Sequence, residues 1–492
     1  MQAFPNLTLD GRAFINGERR WAIAGGRFDN ISPINGQSLC EIARCDGADI
    51  DLAVQAARQS FNDKRWHGLP PSARKRVLVR FSELIASHGE ELALLETLDM
   101  GKPIRYARSV DVNSAANCIR WYGEAIDKVY DEIAPTSDQA LALIRREAMG
   151  VIGVIVPWNY PMIMAAWKIA PALACGNSVV LKPSEKSPLT ALRLAELALQ
   201  AGVPAGVFNV VPGYGAEAGS PLALHMDVDG IGFTGSTKVG QQIHVMAGQS
   251  NLKRAWTELG GKSPFIVMDD CPDLERAVQA VVGSIFFNQG ESCNAPSRLL
   301  VHQRIKDAFL ERALQLVPQY QPADPLHPDT VMGALVDKTQ LSTVLGYVEK
   351  GQQEGAHLLC GGQAALMDTG GFFVQPTIFD GVTNHMTIAR EEIFGPVLSV
   401  MGFNDVHEAV RLANDHVYGL QASIWSRDLN TAHGVARALR AGTVHVNQYD
   451  EDDITVPFGG YKQSGVGRDK SLHAFDKYTE LKTTWIRIDS PV

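Results

Sequence analysis

Cys293 ends the run Asn288-Gln289-Gly290-Glu291-Ser292-Cys293, and a lone thiol after a glycine-containing turn becomes a covalent nucleophile when its surroundings make it a thiolate. Asn159 lies between two prolines in Pro157-Trp158-Asn159-Tyr160-Pro161, which stiffen its loop and could hold its amide as a donor toward an oxyanion. Glu258 opens Glu258-Leu259-Gly260-Gly261-Lys262, whose glycines permit close backbone approach; partial burial at a crevice edge would raise its pKa toward that of a useful base. Each residue also has a plainer reading: an inert buried thiol, an asparagine capping the helix that begins near Met162, and a strand-end glutamate paired with a lysine. No histidine sits near Cys293 in sequence, which weakens a Cys/His hydrolase. Nucleophile, amide donor and base together describe an aldehyde oxidation.

Three further motifs suit a dinucleotide. Lys182-Pro183-Ser184-Glu185 follows a strand, and a carboxylate there accepts from a ribose 2'-OH while repelling a 2'-phosphate; the alternative is a solvated loop with a helix cap. Phe233-Thr234-Gly235-Ser236-Thr237-Lys238-Val239-Gly240 offers small residues and a helix N-terminus to a pyrophosphate, although it is not the G-x-G-x-x-G pattern. Glu391-Glu392-Ile393-Phe394-Gly395-Pro396-Val397 combines a carboxylate for sugar hydroxyls with an aromatic that could pack on a flat ring; alone it is a turn before a strand. The positive charge of a bound nicotinamide would activate Cys293 in place of a histidine.

The elements that must position these residues are legible in the periodicity. From Asp51 to about Lys128 apolar residues recur at helical spacing, in Ala53-Phe61, Val77-Leu98 and Ala115-Ile126. Between Val151 and Leu259, β-branched runs at Val151-Val156, Ser178-Leu181, Val207-Val211, Ile231-Phe233 and Arg254-Glu258 alternate with helical stretches near Met162-Cys175, Leu189-Ala201 and Lys238-Ala247. That alternation predicts a parallel, doubly wound sheet, with ligands beyond the carboxyl ends of its strands, where Asn159, Lys182, Glu185, Gly235, Ser236 and Glu258 fall. A second α/β series, with strands at Phe265-Met268, Leu299-His302, Val397-Met401, Ala422-Trp425 and Thr443-Val446, carries Cys293, so the reaction centre should lie between two domains. Tyr478 to Ile488 and Leu141 to Arg146 read as strands beyond the core, of the kind that pairs with a neighbouring subunit.

At 492 residues the chain exceeds one hydrophobic core, and 45% hydrophobic with 20% charged residues fits a soluble globular protein. A net charge of -9 without any Lys/Arg-rich block argues against nucleic acid and anionic membranes. Seven scattered cysteines, an odd number, point to a reducing cytosol, and Cys40 and Cys45 lack the second pair a zinc site needs, so no metal is expected. No secretory signal is visible at the N-terminus, and the most apolar stretch, Met162 to Cys175, is interrupted and too short to cross a bilayer.

In this order and at these separations the motifs resemble those of the aldehyde dehydrogenase superfamily, from Phe14-Ile15-Asn16-Gly17 to the C-terminal strand. The resemblance implies Cys293 as nucleophile, Glu258 as the base that activates hydrolytic water, Asn159 with the Cys293 backbone N–H as oxyanion hole, and Lys168 and Asp469 as a proton relay. It implies NAD, with NADP possible, held at the adenosine ribose by Lys182, Ser184 and Glu185 and near the pyrophosphate by Thr234, Gly235, Ser236 and Gly240. Val156, Pro157, Trp158 and Leu259 would complete that site, with Glu392 and Phe394 at the nicotinamide ribose and ring. It further implies an NAD-binding domain of residues 1–128 and 149–259, a catalytic domain of 260–465, and an oligomerisation segment of 129–148 and 466–492 in a dimer or tetramer.

Glu91 to Asp99, Ile119-Arg120-Trp121-Tyr122, Lys182 to Leu189 and Gly467 to Ala474 are most similar to the bacterial γ-glutamyl-γ-aminobutyraldehyde dehydrogenases of polyamine breakdown, which suggests an ω-amino or ω-acylamino aldehyde. Tyr160, Met164, Trp167 and Phe458 are candidates for an apolar channel, with Ser292 beside the nucleophile. Asp450 and Asp452, in Asp450-Glu451-Asp452-Asp453, could attract a cationic tail or form a solvated acidic loop. Asp111 matches an acidic position of some aminoaldehyde enzymes, but Val110 replaces the aromatic residue a cation cage needs. The competing readings are a broad aliphatic aldehyde dehydrogenase, acyl transfer to coenzyme A, which Glu258 argues against, a cofactor-free cysteine hydrolase, and a structural protein with the same fold.

Overall fold

The computed structural model of the chain describes Leu7, residues 9–450 and residues 453–489. Its largest element is an eight-stranded sheet in the order Glu18–Arg20, Ala13–Ile15, Phe208–Val210, Ser178–Lys182, Val151–Ile155, Gly230–Thr234, Arg254–Glu258, Gly465–Val466. The five strands from Phe208–Val210 to Arg254–Glu258 are parallel. Val151–Ile155, Ser178–Lys182 and Gly230–Thr234 are buried at every residue, as expected of β-branched runs covered on both faces.

Strand order sets the position of the crevice. Ser178–Lys182 and Phe208–Val210 are laid to one side of Val151–Ile155, whereas Gly230–Thr234 and Arg254–Glu258 are laid to the other. The order therefore reverses between Val151–Ile155 and Gly230–Thr234, and the loops leaving those two strands, Val156–Tyr160 and Gly235–Ser236, separate at a topological switch point. Helix Pro161–Cys175 starts from the first of these loops with proline in its first turn and ends on Gly176 at φ 99°, a left-handed position glycine occupies without strain.

A second sheet of seven strands runs His357–Cys360, Thr377–Asp380, Val397–Phe403, Arg298–His302, Pro264–Val267, Gln421–Trp425, Thr443–Val446, all parallel except the antiparallel His357–Cys360 edge. The five strands predicted here are present; the two added ones have four residues each and lie at one side of the sheet. The third sheet is a small β extension in which Thr479–Arg487 pairs with Ala140–Ala148 along its full length, from Thr479 opposite Ala148 to Arg487 opposite Ala140, and Glu132–Ala134 pairs on the other side. The two strands predicted to leave the core thus pair with each other. Among the described residues no helix is long and apolar enough to cross a membrane.

Candidate active site

The segment before Cys293 is held by side chains that sequence reasoning treated only as spacing. Asn288, Gln289 and Gly290 all adopt left-handed backbone, at φ 47°, 56° and 72°, so the chain turns sharply out of the preceding helix. A Cβ on Gly290 would stand 2.2 Å from the Gly395 carbonyl oxygen, which excludes any other residue. Gln289 is clamped at both ends of its amide, donating to Ala334 O at 3.1 Å and accepting from Gly333 N at 3.1 Å. Glu291, buried and pushed well above the usual carboxylate range by that burial, accepts from Val336 N at 3.1 Å.

Cys293 emerges from this turn at the boundary between two cavities. One, of about 480 Å³, is walled by Tyr160, Met164, Trp167, Asp450 and Phe458; the other, of about 300 Å³, by Pro157, Trp158, Thr234, Glu258, Glu392 and Phe394. Cys293, Tyr160 and Met164 line both. The thiol is pushed well above its ordinary pKa, first by burial and then by the negative charges of Glu258, Glu392 and Asp450. The expectation of a surrounding that yields a thiolate is therefore not met by this chain's residues alone, since the groups acting on the sulfur are anionic.

Glu258 ends the strand Arg254–Glu258 and is 4% exposed, and neither carboxylate oxygen has a hydrogen-bond partner. Burial raises its pKa to about 8, against the opposing pull of the Lys168 charge and the neighbouring Cys293 thiol. The following glycines have separate tasks. A Cβ on Gly260 would lie 2.2 Å from Glu392 Oε2, and one on Gly261 would lie 2.2 Å from the Cys293 carbonyl oxygen.

Asn159 does not cap a helix: the cap of Pro161–Cys175 is Tyr160, with no side-chain hydrogen bond. Its Nδ2 donates to Glu291 O at 2.9 Å, and its carbonyl accepts from Asn288 Nδ2 at 3.0 Å, which ties the amide to the nucleophile's own loop. One hydrogen engaged this way leaves the second for a ligand oxygen. Asn159 lines the 300 Å³ cavity with Cys293 and Glu258.

Behind Glu258, Lys168 Nζ lies 2.6 Å from Asp469 Oδ2, and Lys477, which sequence reasoning missed, bonds Asp469 Oδ1. Asp469 is held down at about 2 by these two ammonium groups despite its burial. Nothing in the local sequence marks Lys477; its part depends on the chain returning beneath the first sheet.

Of the expected cofactor residues, Pro157, Trp158, Thr234, Gly235, Ser236, Leu259, Glu392 and Phe394 line the 300 Å³ cavity. Trp158 meets Phe394 edge-on at 5.2 Å, and the Glu392 carboxylate, raised to about 7 by burial, accepts from Gly261 N at 3.0 Å. Val156, Lys182, Ser184, Glu185 and Gly240 are not in that wall. Val156 N donates to Lys182 O, Lys182 Nζ lies 3.2 Å from Glu185 Oε2, and Ser184 Oγ accepts from Lys186 N. Gly240 stands behind Leu259: a Cβ there would come within 2.4 Å of Leu259 Cδ2, so its glycine makes room for the Leu259 side chain that lines the wall. The wall fits a dinucleotide, because Thr234 Oγ1 is buried there without a partner and Ser236 caps the helix Thr237–Gln249, whose N-terminus favours phosphate oxygens. Gln340 and Tyr347 also face this cavity; Gln340 fixes the Phe394 loop by donating to Phe394 O at 2.6 Å.

The expected substrate residues divide. Tyr160, Met164, Trp167, Phe458 and Asp450 line the 480 Å³ cavity, with Asp450 accepting from Asn294 Nδ2 at 2.6 Å. Ser292 is buried and bonds Tyr160 OH at 2.6 Å. Asp111 is not in the cavity: it is fully buried and accepts from Lys102 Nζ at 2.6 Å, while Val110 faces the cavity instead. Residues 107–112 form a wide helical turn that carries an extra residue. Asp452 lies outside the described residues. Lys470 and His445, absent from the sequence reading, also line the cavity.

A model of the aldehyde dehydrogenase family matches residues 21–484. PuuC of Escherichia coli strain K12, an NADP/NAD-dependent aldehyde dehydrogenase, is 51% identical over 485 residues, 99% of this chain and 97% of its own length. A mutant of AldA, an indole-3-acetaldehyde dehydrogenase of P. syringae solved in complex with NAD+ and IAA, is 56% identical and superposes with a TM-score of 0.97 over 98% of each chain. The γ-glutamyl-γ-aminobutyraldehyde dehydrogenase structure from Burkholderia cenocepacia J2315 is 59% identical, with a TM-score of 0.96 over 98% of this chain and 97% of that one.

Proposed function

The chain belongs to the aldehyde dehydrogenase family, and from that premise we propose that Cys293 carries an aldehyde to its carboxylic acid through a thiohemiacetal and a thioester. The observation that supports this reading is the position of Cys293 in the wall common to the two cavities, one for the aldehyde and one for the dinucleotide. Bound NAD supplies the hydride acceptor. Cys293 Sγ adds to the aldehyde carbon, its thiol proton passing to the facing Glu258. The second Nδ2 hydrogen of Asn159 and the Cys293 backbone N–H then hold the oxyanion. Once the thioester has formed and Glu258 has passed the thiol proton on to solvent, Glu258 takes a proton from water, and a pKa of about 8 lets it accept and release each proton cheaply. Lys168 and Asp469 act behind it as a relay.

The physiological substrate in this proposal is an ω-amino or γ-glutamylamino aldehyde of polyamine catabolism. The Burkholderia cenocepacia γ-glutamyl-γ-aminobutyraldehyde dehydrogenase supports it by name and Asp450 by its place in the substrate cavity. Broad aldehyde oxidation is the second reading, favoured by the apolar walls at Ile163, Met164, Trp167 and Phe458 and by the relative that acts on indole-3-acetaldehyde. We assign residues 1–128 and 149–259 to NAD binding, 260–465 to catalysis, and 129–148 with 466–492 to assembly of a cytoplasmic homo-oligomer, since the outer strand Thr479–Arg487 exposes Leu481, Trp485 and Ile486. NADH formation with propionaldehyde tests the reaction. A panel of neutral, amino, guanidino and γ-glutamylamino aldehydes, compared by kcat/KM, tests the substrate; equal values across the panel would favour the broad reading.

A further inference from the structure

We propose that Lys477 is the proton outlet of the hydrolytic step, carrying to solvent the proton that Glu258 takes from water. The inference rests on Glu258 being the base. That carboxylate is 4% exposed and has no hydrogen-bond partner, so each turnover leaves a proton on a group that does not meet bulk water. A separate small cavity, with room for about one water molecule, lies beside it and is lined by Glu258, Lys168, Asp469 and Lys477. Val466, 56% exposed, lines the same cavity, so the space abuts the protein surface.

The charge balance in this compartment singles out one member. Two ammonium groups share the Asp469 carboxylate, and Lys168 also meets the Glu258 charge, so Asp469 is the anion on which Lys477 depends. Lys477 is lowered to about 8 by burial and by the Lys168 charge, against the stabilising Asp469 anion. Its amine lies 5.4 Å from the Tyr478 ring centre, and its stem passes Gly467, where a Cβ would stand 3.4 Å from Lys477 Cδ. Arg468, the other cation in the cavity wall, is engaged by the Gly460 and Gly467 carbonyls. Lys477 is therefore an amine that holds its proton weakly near neutral pH.

In the step itself, the attacking water loses a proton to Glu258 while its oxygen bonds to the thioester carbon and the C–S bond breaks, releasing the Cys293 thiolate. Lys477, an ammonium at rest against Asp469, first releases a proton to solvent. Glu258 then gives its proton to a water in the small cavity, which passes one of its own to the neutral Lys477 amine and restores the ammonium, so one proton leaves for each water consumed.

The test measures acid release from the acyl-enzyme in a single turnover by rapid quench, alongside the hydride burst with NAD and propionaldehyde, for the parent, Lys477→Met and Lys477→Arg. Both variants should keep the parent burst and slow acid release about 10²-fold, the modest end of proton-transfer catalysis. Imidazole should restore it and the solvent isotope effect should rise. Arginine keeps a cation on Asp469 but does not give up its proton, so parent-like acid release in Lys477→Arg would assign Lys477 a structural charge and overturn the proposal. Equal loss of burst and acid release, unrelieved by imidazole, would overturn it as well. Absence of a hydride burst in the parent would instead defeat the assignment of the reaction.

Discussion

Glu258 opposes ionisation of the Cys293 thiol it faces: after burial, its negative charge is what raises the thiol pKa most. Nucleophile and base are thus antagonists until the substrate or cofactor alters the field around them. Glu258→Gln should lower the thiol pKa and speed alkylation of Cys293 by iodoacetamide at neutral pH, while turnover stalls after one hydride per site. Slower alkylation would mean that Glu258 acts on the thiol chiefly as its base.

The pH dependence of hydrolysis follows from the same carboxylate. The base must be ionised, and its pKa stands at about 8, so acid release should climb with pH through about 8 and level off above it. Below that value the rate should fall about tenfold per pH unit. Single-turnover acid release between pH 6 and 10 checks this, and a limb lying near the ordinary glutamate range would place Glu258 in a wetter site than the fold provides.

Asn159→Ala should reduce kcat about 10²–10³-fold, the cost of one lost oxyanion donor, while titration calorimetry shows NAD binding retained. The variant also loses the tie to Glu291 O, so Asn159→Asp is the companion. It keeps the shape but replaces the donor with an acceptor, and should be no more active than the alanine variant.

Glu185 is paired with Lys182 and its side chain is 32% exposed, so it can face a ribose. Glu185→Ala should raise kcat/KM for NADP relative to NAD by about tenfold, through loss of one repulsion against a 2'-phosphate. An unchanged ratio would remove Glu185 from cofactor selection.

Gly261→Ala should be damaging although no side chain is lost. The new methyl would meet the Cys293 carbonyl oxygen at 2.2 Å, and overpacking against backbone costs about 1–3 kcal/mol. A fall in thermal midpoint with loss of activity is expected, and parent-like values for both would show that the contact relaxes.

The three residues proposed for catalysis were legible because Asn159 and Glu258 lie at strand ends and Cys293 follows a glycine turn, signals that are local in sequence. The lesser strands His357–Cys360 and Thr377–Asp380 were not: the first has no β-branched residue, and the second runs from Pro376 into Asp380-Gly381, which reads as a turn. Asp111 was chosen by matched position, which does not show that its side chain is buried against Lys102 while Val110 lines the cavity. Lys470 and Lys477 act where the chain comes back under helix Pro161–Cys175 and the first sheet, and only the fold shows that return. Gly240 also packs against the Leu259 side chain, a contact the motif alone does not reveal.

The contact between the Gly261 α-carbon and the Cys293 carbonyl admits not even a methyl group, so the nucleophile is registered against the base's strand by main-chain atoms. Side-chain replacement cannot retune that spacing. Divergence toward new aldehydes is therefore channelled into the lining, at positions such as Val110, Met164 and Phe458, while the reacting sulfur keeps a fixed address.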